Sequence, residues 1–198
     1  LDGMCGGGQT TRYLLDKDAT VTGLDISDAT IEIFKSQFSE CNAVCRSILE
    51  SELEDNSFDC VSVVGGLHHL HPNVTKAVRE IHRILKPGGY FCFMEPHEGS
   101  FPILIRRFWY KFDRYFSDNE KAIDLSALED EFASSFTINR ISYRGNIGFL
   151  LVLNSLIFRI PLPLKPLYSP FLLRLENLIN RFQTKASCCF VIAQWQKK

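Results

Sequence analysis

Between residues 58 and 94 an apolar strand, an amphipathic helix and a second strand follow one another, and this succession constrains the fold more than any other feature. Phe58 to Val64 (FDCVSVV) is a nearly continuous apolar run, the pattern of a strand covered on both faces. Val74, Ala77, Val78, Ile81, Ile84 and Leu85 then form one helical stripe, with Asn73 expected to cap it and Lys86-Pro87-Gly88-Gly89 to stop it. Tyr90 to Met94 reads as strand again. Two strands joined by a helix of this length call for a right-handed crossover and parallel pairing, with helices on the faces of the sheet.

The rest of the first half repeats the alternation. Leu1-Asp2 reads as a strand end, Thr10 to Leu15 as a short helix and Ala19 to Leu24 as a strand ending at Asp25. Ser27 is placed to cap a helix carrying Ile31, Phe34 and Phe38, and Asn42 to Cys45 is a short strand. The second half differs. Phe101 to Phe116 and Leu125 to Phe132 read as helices, and Phe136 to Tyr143 and Ala186 to Trp195 as strands. Gly145 to Phe182 is an apolar insertion punctuated by prolines. The expected fold is α/β and doubly wound, a Rossmann-like sheet of seven strands, mostly parallel with a closing antiparallel strand, plus a helical apolar insertion. One domain of 198 residues is expected. Residues 1–95 would be its ligand-binding core, 96–185 its substrate-side helices and lid, and 186–195 its last strand.

Composition narrows the partners. Lys and Arg total 22 against 23 Asp and Glu, so no basic excess asks for nucleic acid. The seven cysteines form no C-x-x-C pair and several lie in apolar runs, which suits buried thiols in a reducing, cytoplasmic setting better than disulfides or zinc. No uncharged apolar run reaches the length of a membrane span. Because Leu1-Asp2 reads as the last part of a strand, a preceding helix and the start of that strand are expected upstream.

The segment Leu1 to Gly8 (LDGMCGGG) is a strand end, a glycine-rich turn and the start of a helix. Such a turn lets backbone approach a nucleotide-like ligand; alone, it is a weak signal that a turn with no ligand also explains. Asp25 adds the second element. An acid at the next strand end can accept from the two hydroxyls of a ribose, because both carboxylate oxygens accept. Its competing role, at the start of a helix, is already met by Ser27 and Asp28. A phosphate-binding G-K-[ST] is absent, and Thr11 stands where a dinucleotide fingerprint needs glycine. A ligand with ribose and adenine but no phosphate fits these constraints.

Four segments, LDGMCGGG, VTGLDIS, DNSFDCVSVVGGLHHL and VREIHRILKPGGY, occur in order across residues 1 to about 95. They resemble the landmark segments of class I methyltransferases that use S-adenosylmethionine (SAM), here without the N-terminal piece. The resemblance implies strand order 3-2-1-4-5-7-6 and SAM as cofactor. It also implies cofactor-binding roles for Asp2, Gly3, Met4, Gly6, Gly8, Asp25, Ile26, Ser47, Ile48, Leu67 and His68. The turn at Gly6 and Gly8 would pass the methionine part, Asp25 would hold the ribose and Ile26 would lie against adenine. Ser47 and Ile48 would line the adenine edge, and Leu67 and His68 would close the pocket. Two positions depart from the family. Met4 stands where the first glycine of the turn is usual, and Ser47 where an Asp often accepts from adenine.

Methyl transfer from a sulfonium needs alignment and exclusion of water, and a base only where the acceptor must lose a proton. His69, after the fourth strand, is the best candidate base, against the competing reading of a structural histidine; Glu95 and His97, after the fifth, are the other catalytic candidates. No metal site is expected from H-H-x-H. Arg106, Arg107, Trp109, Tyr110 and Lys111 read either as a substrate-covering helix or as ordinary amphipathic surface. The apolar insertion hints at a small, lipid-like acceptor or peripheral membrane contact; a packed lid or a homodimer interface reads it equally well. G-G-L-H after the fourth strand differs from the N/D-P-P-Y/F of relatives that methylate amides next to it, which argues against nucleic acid as acceptor. The alternative function is a non-catalytic binding or scaffold protein on the same fold.

Overall fold

Seven strands make one sheet in the order β3-β2-β1-β4-β5-β7-β6 in the computed structural model, which describes residues 1–104, 121–153 and 160–198. The strands are β1 Asp2–Gly3, β2 Thr22–Asp25, β3 Asn42–Cys45, β4 Phe58–Val64, β5 Leu85–Glu95, β6 Phe136–Arg144 and β7 Phe190–Lys197. The first five pair in parallel, and β7 runs antiparallel to both β5 and β6. The expected fold class and strand order are thus observed. Among the described residues the α-helices include α1 Gln9–Leu15, α2 Asp28–Gln37, α3 Val74–Ile84, α4 Leu125–Glu131 and α5 Ser169–Ile179.

Two apolar clusters lie under the helices. One gathers α3, α4 and the strands β2, β4, β5, β6 and β7 around the fully buried Trp195, whose ring meets Phe93 edge-on at 5.2 Å. The other places Ile31, Phe34 and Phe38 of the α2 region against the turn after β1. Gly23 makes this packing possible, since a Cβ there would lie 2.6 Å from the Phe34 ring. A polar clasp ties α3 to the 51–55 segment. Glu80 accepts from the Ser51 amide at 2.9 Å and from Arg83, which also pairs with Asp55. The Arg83 bonds, helped by Ser51, hold the Glu80 carboxyl down to about 2.

Element boundaries differ from expectation in four places. Ala19–Val21 lie outside β2, which begins at Thr22. Asn73 makes no side-chain cap to α3. Lys86–Gly89 end the helix as expected but belong to β5: Leu85 pairs with Phe58 and the next pair is Tyr90 with Cys60, so these residues are a bulge in a strand that has already begun. β7 starts at Phe190 instead of Ala186 because the Cys189 amide is taken by the carbonyls of Arg144 and Gly145. Helix is present at 101–104; the remainder of the helix expected to Phe116, with Arg106, Arg107, Trp109, Tyr110 and Lys111, lies outside the described residues.

Candidate functional site

The carboxyl ends of β1, β2 and β4 meet where the strand order reverses, the place where open parallel sheets bind ligands. β1 is two residues long, and its Asp2 is buried. The Asp2 carboxylate accepts from Thr11 Oγ1 at 2.6 Å, which pins α1 to the strand. Burial pushes its pKa up, against the opposing pull of that bond. Asp2 therefore secures the turn from below. Gly3 packs within the sheet, where a Cβ would come 3.2 Å from Val63.

Past β1 the chain turns through Met4 (φ 57°), Gly6 (φ 52°) and Gly8 (φ 76°), all left-handed. The two glycines serve different purposes. A Cβ on Gly8 would stand 2.2 Å from the Phe38 ring, so this position is glycine for packing. A Cβ on Gly6 would meet nothing within 4 Å, so bare backbone borders open space there. Cys5 between them is buried and its thiol is pushed up to about 12 by burial, which leaves it un-ionised.

Asp25, at the tip of β2, joins this turn to the next. Its Oδ2 accepts from the Gly6 amide at 3.1 Å and its Oδ1 from the Ser27 amide at 3.0 Å. Each oxygen thus spends one of its acceptor sites on backbone and keeps another. The carboxylate is half-buried and held in place, with capacity for two further donors. Beside it, Ile26 is 72% exposed, an apolar side chain with no cover. This pairing of a fixed carboxylate with a bare apolar face suits a ribose joined to a flat base. The donor set therefore fits SAM at its nucleoside end.

Elsewhere the fit is less direct. Ser47 Oγ accepts from the Leu49 amide at 3.2 Å, so the hydroxyl is partly committed. Ile48 and Leu67 are core residues. Met4 takes the left-handed conformation that glycine adopts freely, and its thioether lies over Gly66: a Cβ on that glycine would meet the sulfur at 2.6 Å. The turn accordingly keeps the register of its neighbours, with Met4 bridging to the loop after β4.

That loop has an organiser which the sequence did not announce. Glu95, fully buried at the end of β5, accepts from the amides of Gly66 and Leu67 at 2.7 Å each and from His68 at 3.4 Å. The His68 ring meets the same carboxylate, Nδ1 at 2.7 Å. Glu95 is thus a positioning residue. It has no exposed surface with which to bind an acceptor, which corrects the expectation of a catalytic role. The only hint in the sequence was an acid ending the apolar strand YFCFME. His97 is corrected likewise: it is fully buried, with Nδ1 2.6 Å from the Glu98 carbonyl and Nε2 2.9 Å from Cys188 Sγ. Burial lowers its pKa. His69 is exposed at the end of the short 3₁₀ turn Leu67–His69 and stacks on His68 with centroids 3.9 Å apart.

The family model described as a methyltransferase domain matches residues 1–93, which include Asp25, the glycine turn and the loop after β4. Over residues 1–93 the chain is thus similar to methyltransferase domains. An uncharacterised methyltransferase of Synechocystis is 35% identical over 101 residues, covering 50% of this chain and 48% of the relative. The demethylmenaquinone methyltransferase of Staphylococcus aureus is 33% identical over 109 residues, covering 52% and 45%. The chain thus spans about half the length of the curated relatives it matches. A SAM-dependent methyltransferase from Archaeoglobus fulgidus shares the fold across 100% of this chain and 84% of its own, with a TM-score of 0.67 at 17% identity. The matched segment contains Asp25, Gly6 and the loop that Glu95 holds from just beyond it.

Proposed function

We propose that the chain binds SAM at the Asp25 cleft and transfers its methyl group to a small, apolar acceptor. The observation that carries the reading is the Asp25 carboxylate, fixed by the Gly6 and Ser27 amides and flanked by the exposed Ile26. SAM, when bound, supplies an electrophilic methyl on a sulfonium. The chain's own part is to hold and to exclude. Asp25 accepts from the ribose hydroxyls, Ile26 covers one face of adenine, and Gly6 keeps the turn free of side chains. Glu95 fixes the loop bearing Leu67 and His68, so the wall of the cleft needs no reorganisation when the ligand arrives. His69, exposed on that loop, would take a proton from an acceptor that carries one.

An apolar acceptor is supported by the exposed leucines and phenylalanines of the insertion and by the balanced net charge of −1. The S. aureus relative's name assigns it a demethylmenaquinone, an acceptor of this kind. Seven free cysteines suit a reducing, cytoplasmic setting. Met4 favours a second reading, a scaffold that keeps the fold without the cofactor, because its side chain occupies a turn position usually left bare. The two separate in one assay. Incubation with SAM and a panel of quinol and phenol acceptors should yield S-adenosylhomocysteine only with the wild-type chain and only when an acceptor is present. No product, together with no SAM binding, would establish the scaffold.

A further inference from the structure

The insertion between β6 and β7 has its polarity reversed. In the 3₁₀ stretch Leu162–Leu167 the lysine points inward: Lys165 is 7% exposed and its Nζ donates to the Val152 carbonyl at 2.7 Å. The leucines of the same stretch point outward, Leu162 72% and Leu167 81% exposed. The following helix, α5, repeats the arrangement. Its one acid, Glu176, is buried and accepts from the amides of Asn146, Gly148 and Phe149. Phe171 and Leu178 lie on the opposite face and are exposed, as is Phe182 just past the helix. A water-facing surface does not ordinarily turn its charges in and its leucines out. Small proteins keep such a face where the surroundings are themselves apolar.

The charges left on that face have one sign. Arg174 and Arg181 are exposed at helical spacing from Phe171 and Leu178, so cations and apolar side chains alternate along one stripe. Between residues 161 and 185 the sole acid is Glu176, which is consumed internally. An apolar stripe edged by arginines complements an anionic lipid surface, where side chains enter the acyl boundary and guanidinium groups stay among phosphates. No helix among the described residues is long and apolar enough to cross a membrane, so the contact is one of lying on the surface.

From this reversed polarity and single-signed charge we propose that residues 162–182 dock the protein onto an anionic lipid bilayer. The inference stands apart from methyl transfer: vesicle binding needs no SAM, so either can fail without the other. The test is co-sedimentation of the intact chain with phosphatidylcholine vesicles, with and without phosphatidylglycerol. The chain should pellet with the anionic vesicles, less so as salt rises. Leu167→Glu/Phe171→Glu should lower the partition coefficient at least about tenfold with an unchanged circular-dichroism melting curve. Phe182→Ser, beyond the helix, should act in the same direction and serves if the double variant melts early. Arg174→Glu/Arg181→Glu should lower binding on anionic vesicles and leave it unchanged on neutral ones. The proposal is overturned if the wild-type chain ignores both vesicles, or if these apolar variants bind as it does. It is also overturned if sedimentation velocity shows a dimer that Leu167→Glu/Phe171→Glu dissociates while vesicles go unbound; the face would then join two copies.

Discussion

The sheet and the insertion use the same residue types in opposite senses. Around β4, β5 and β7, phenylalanine, valine and tryptophan are buried, and charged groups such as Lys86 and Asp59 pair at the surface. In residues 162–182 leucine and phenylalanine face out while Lys165 and Glu176 face in. Hydrophobic periodicity reports that a face is covered; it does not say by what. In the sheet the cover is the same chain, and the pattern reads directly as core. In the insertion leucines and phenylalanines also recur, but those that face out have no partner within the described residues.

The contrast can be broken most forcefully at Trp195. Trp195→Ala removes the side chain at the centre of the larger cluster and should cost about 3–5 kcal/mol in urea unfolding. A loss below about 1 kcal/mol would mean that the sheet core is not the stabilising unit. Gly8→Ala comes next. It forces a Cβ into the Phe38 ring at a left-handed position and should cost about 1–3 kcal/mol, measured the same way. The Glu80 clasp gives a smaller, pH-dependent effect. Its folded pKa lies below the unfolded one, so its contribution is present above the ordinary carboxylate range and is lost as pH falls from there toward about 2. Glu80→Gln should flatten the urea midpoint against pH in that window, and an unchanged slope would remove the clasp from the account. Smallest of all, Phe171→Ser in the insertion should shift stability by no more than about 0.5 kcal/mol, because the side chain is already exposed. A large loss there would show the stripe to be covered by protein after all.

How much was legible follows the same division. β4, α3 and β5 were readable because their apolar residues recur at one period and meet partners close in sequence. The place of Asp25 at a strand tip was readable, and Ser27 does cap the next helix, accepting from the Thr30 amide at 3.3 Å, but the bonds of the Asp25 carboxylate to the Gly6 and Ser27 amides were not. What the residues alone did not yield depended on distant partners. Glu95 and His97 look alike in sequence, two titratable groups after a strand. Only the fold reveals that one holds a loop 29 residues upstream while the other is closed against Cys188, 91 residues downstream. Gly6 and Gly8 were likewise indistinguishable until the Phe38 ring was found over one of them.

Isothermal titration of SAM into the wild-type chain and into Asp25→Ala tests the central claim most directly. The account predicts affinity of about micromolar order for the wild type, and weakening by about 1–3 kcal/mol, roughly 5- to 150-fold, in a variant that remains folded. A wild-type chain that gives no heat with SAM, or a folded Asp25→Ala that binds it equally well, would contradict the assignment of this cleft.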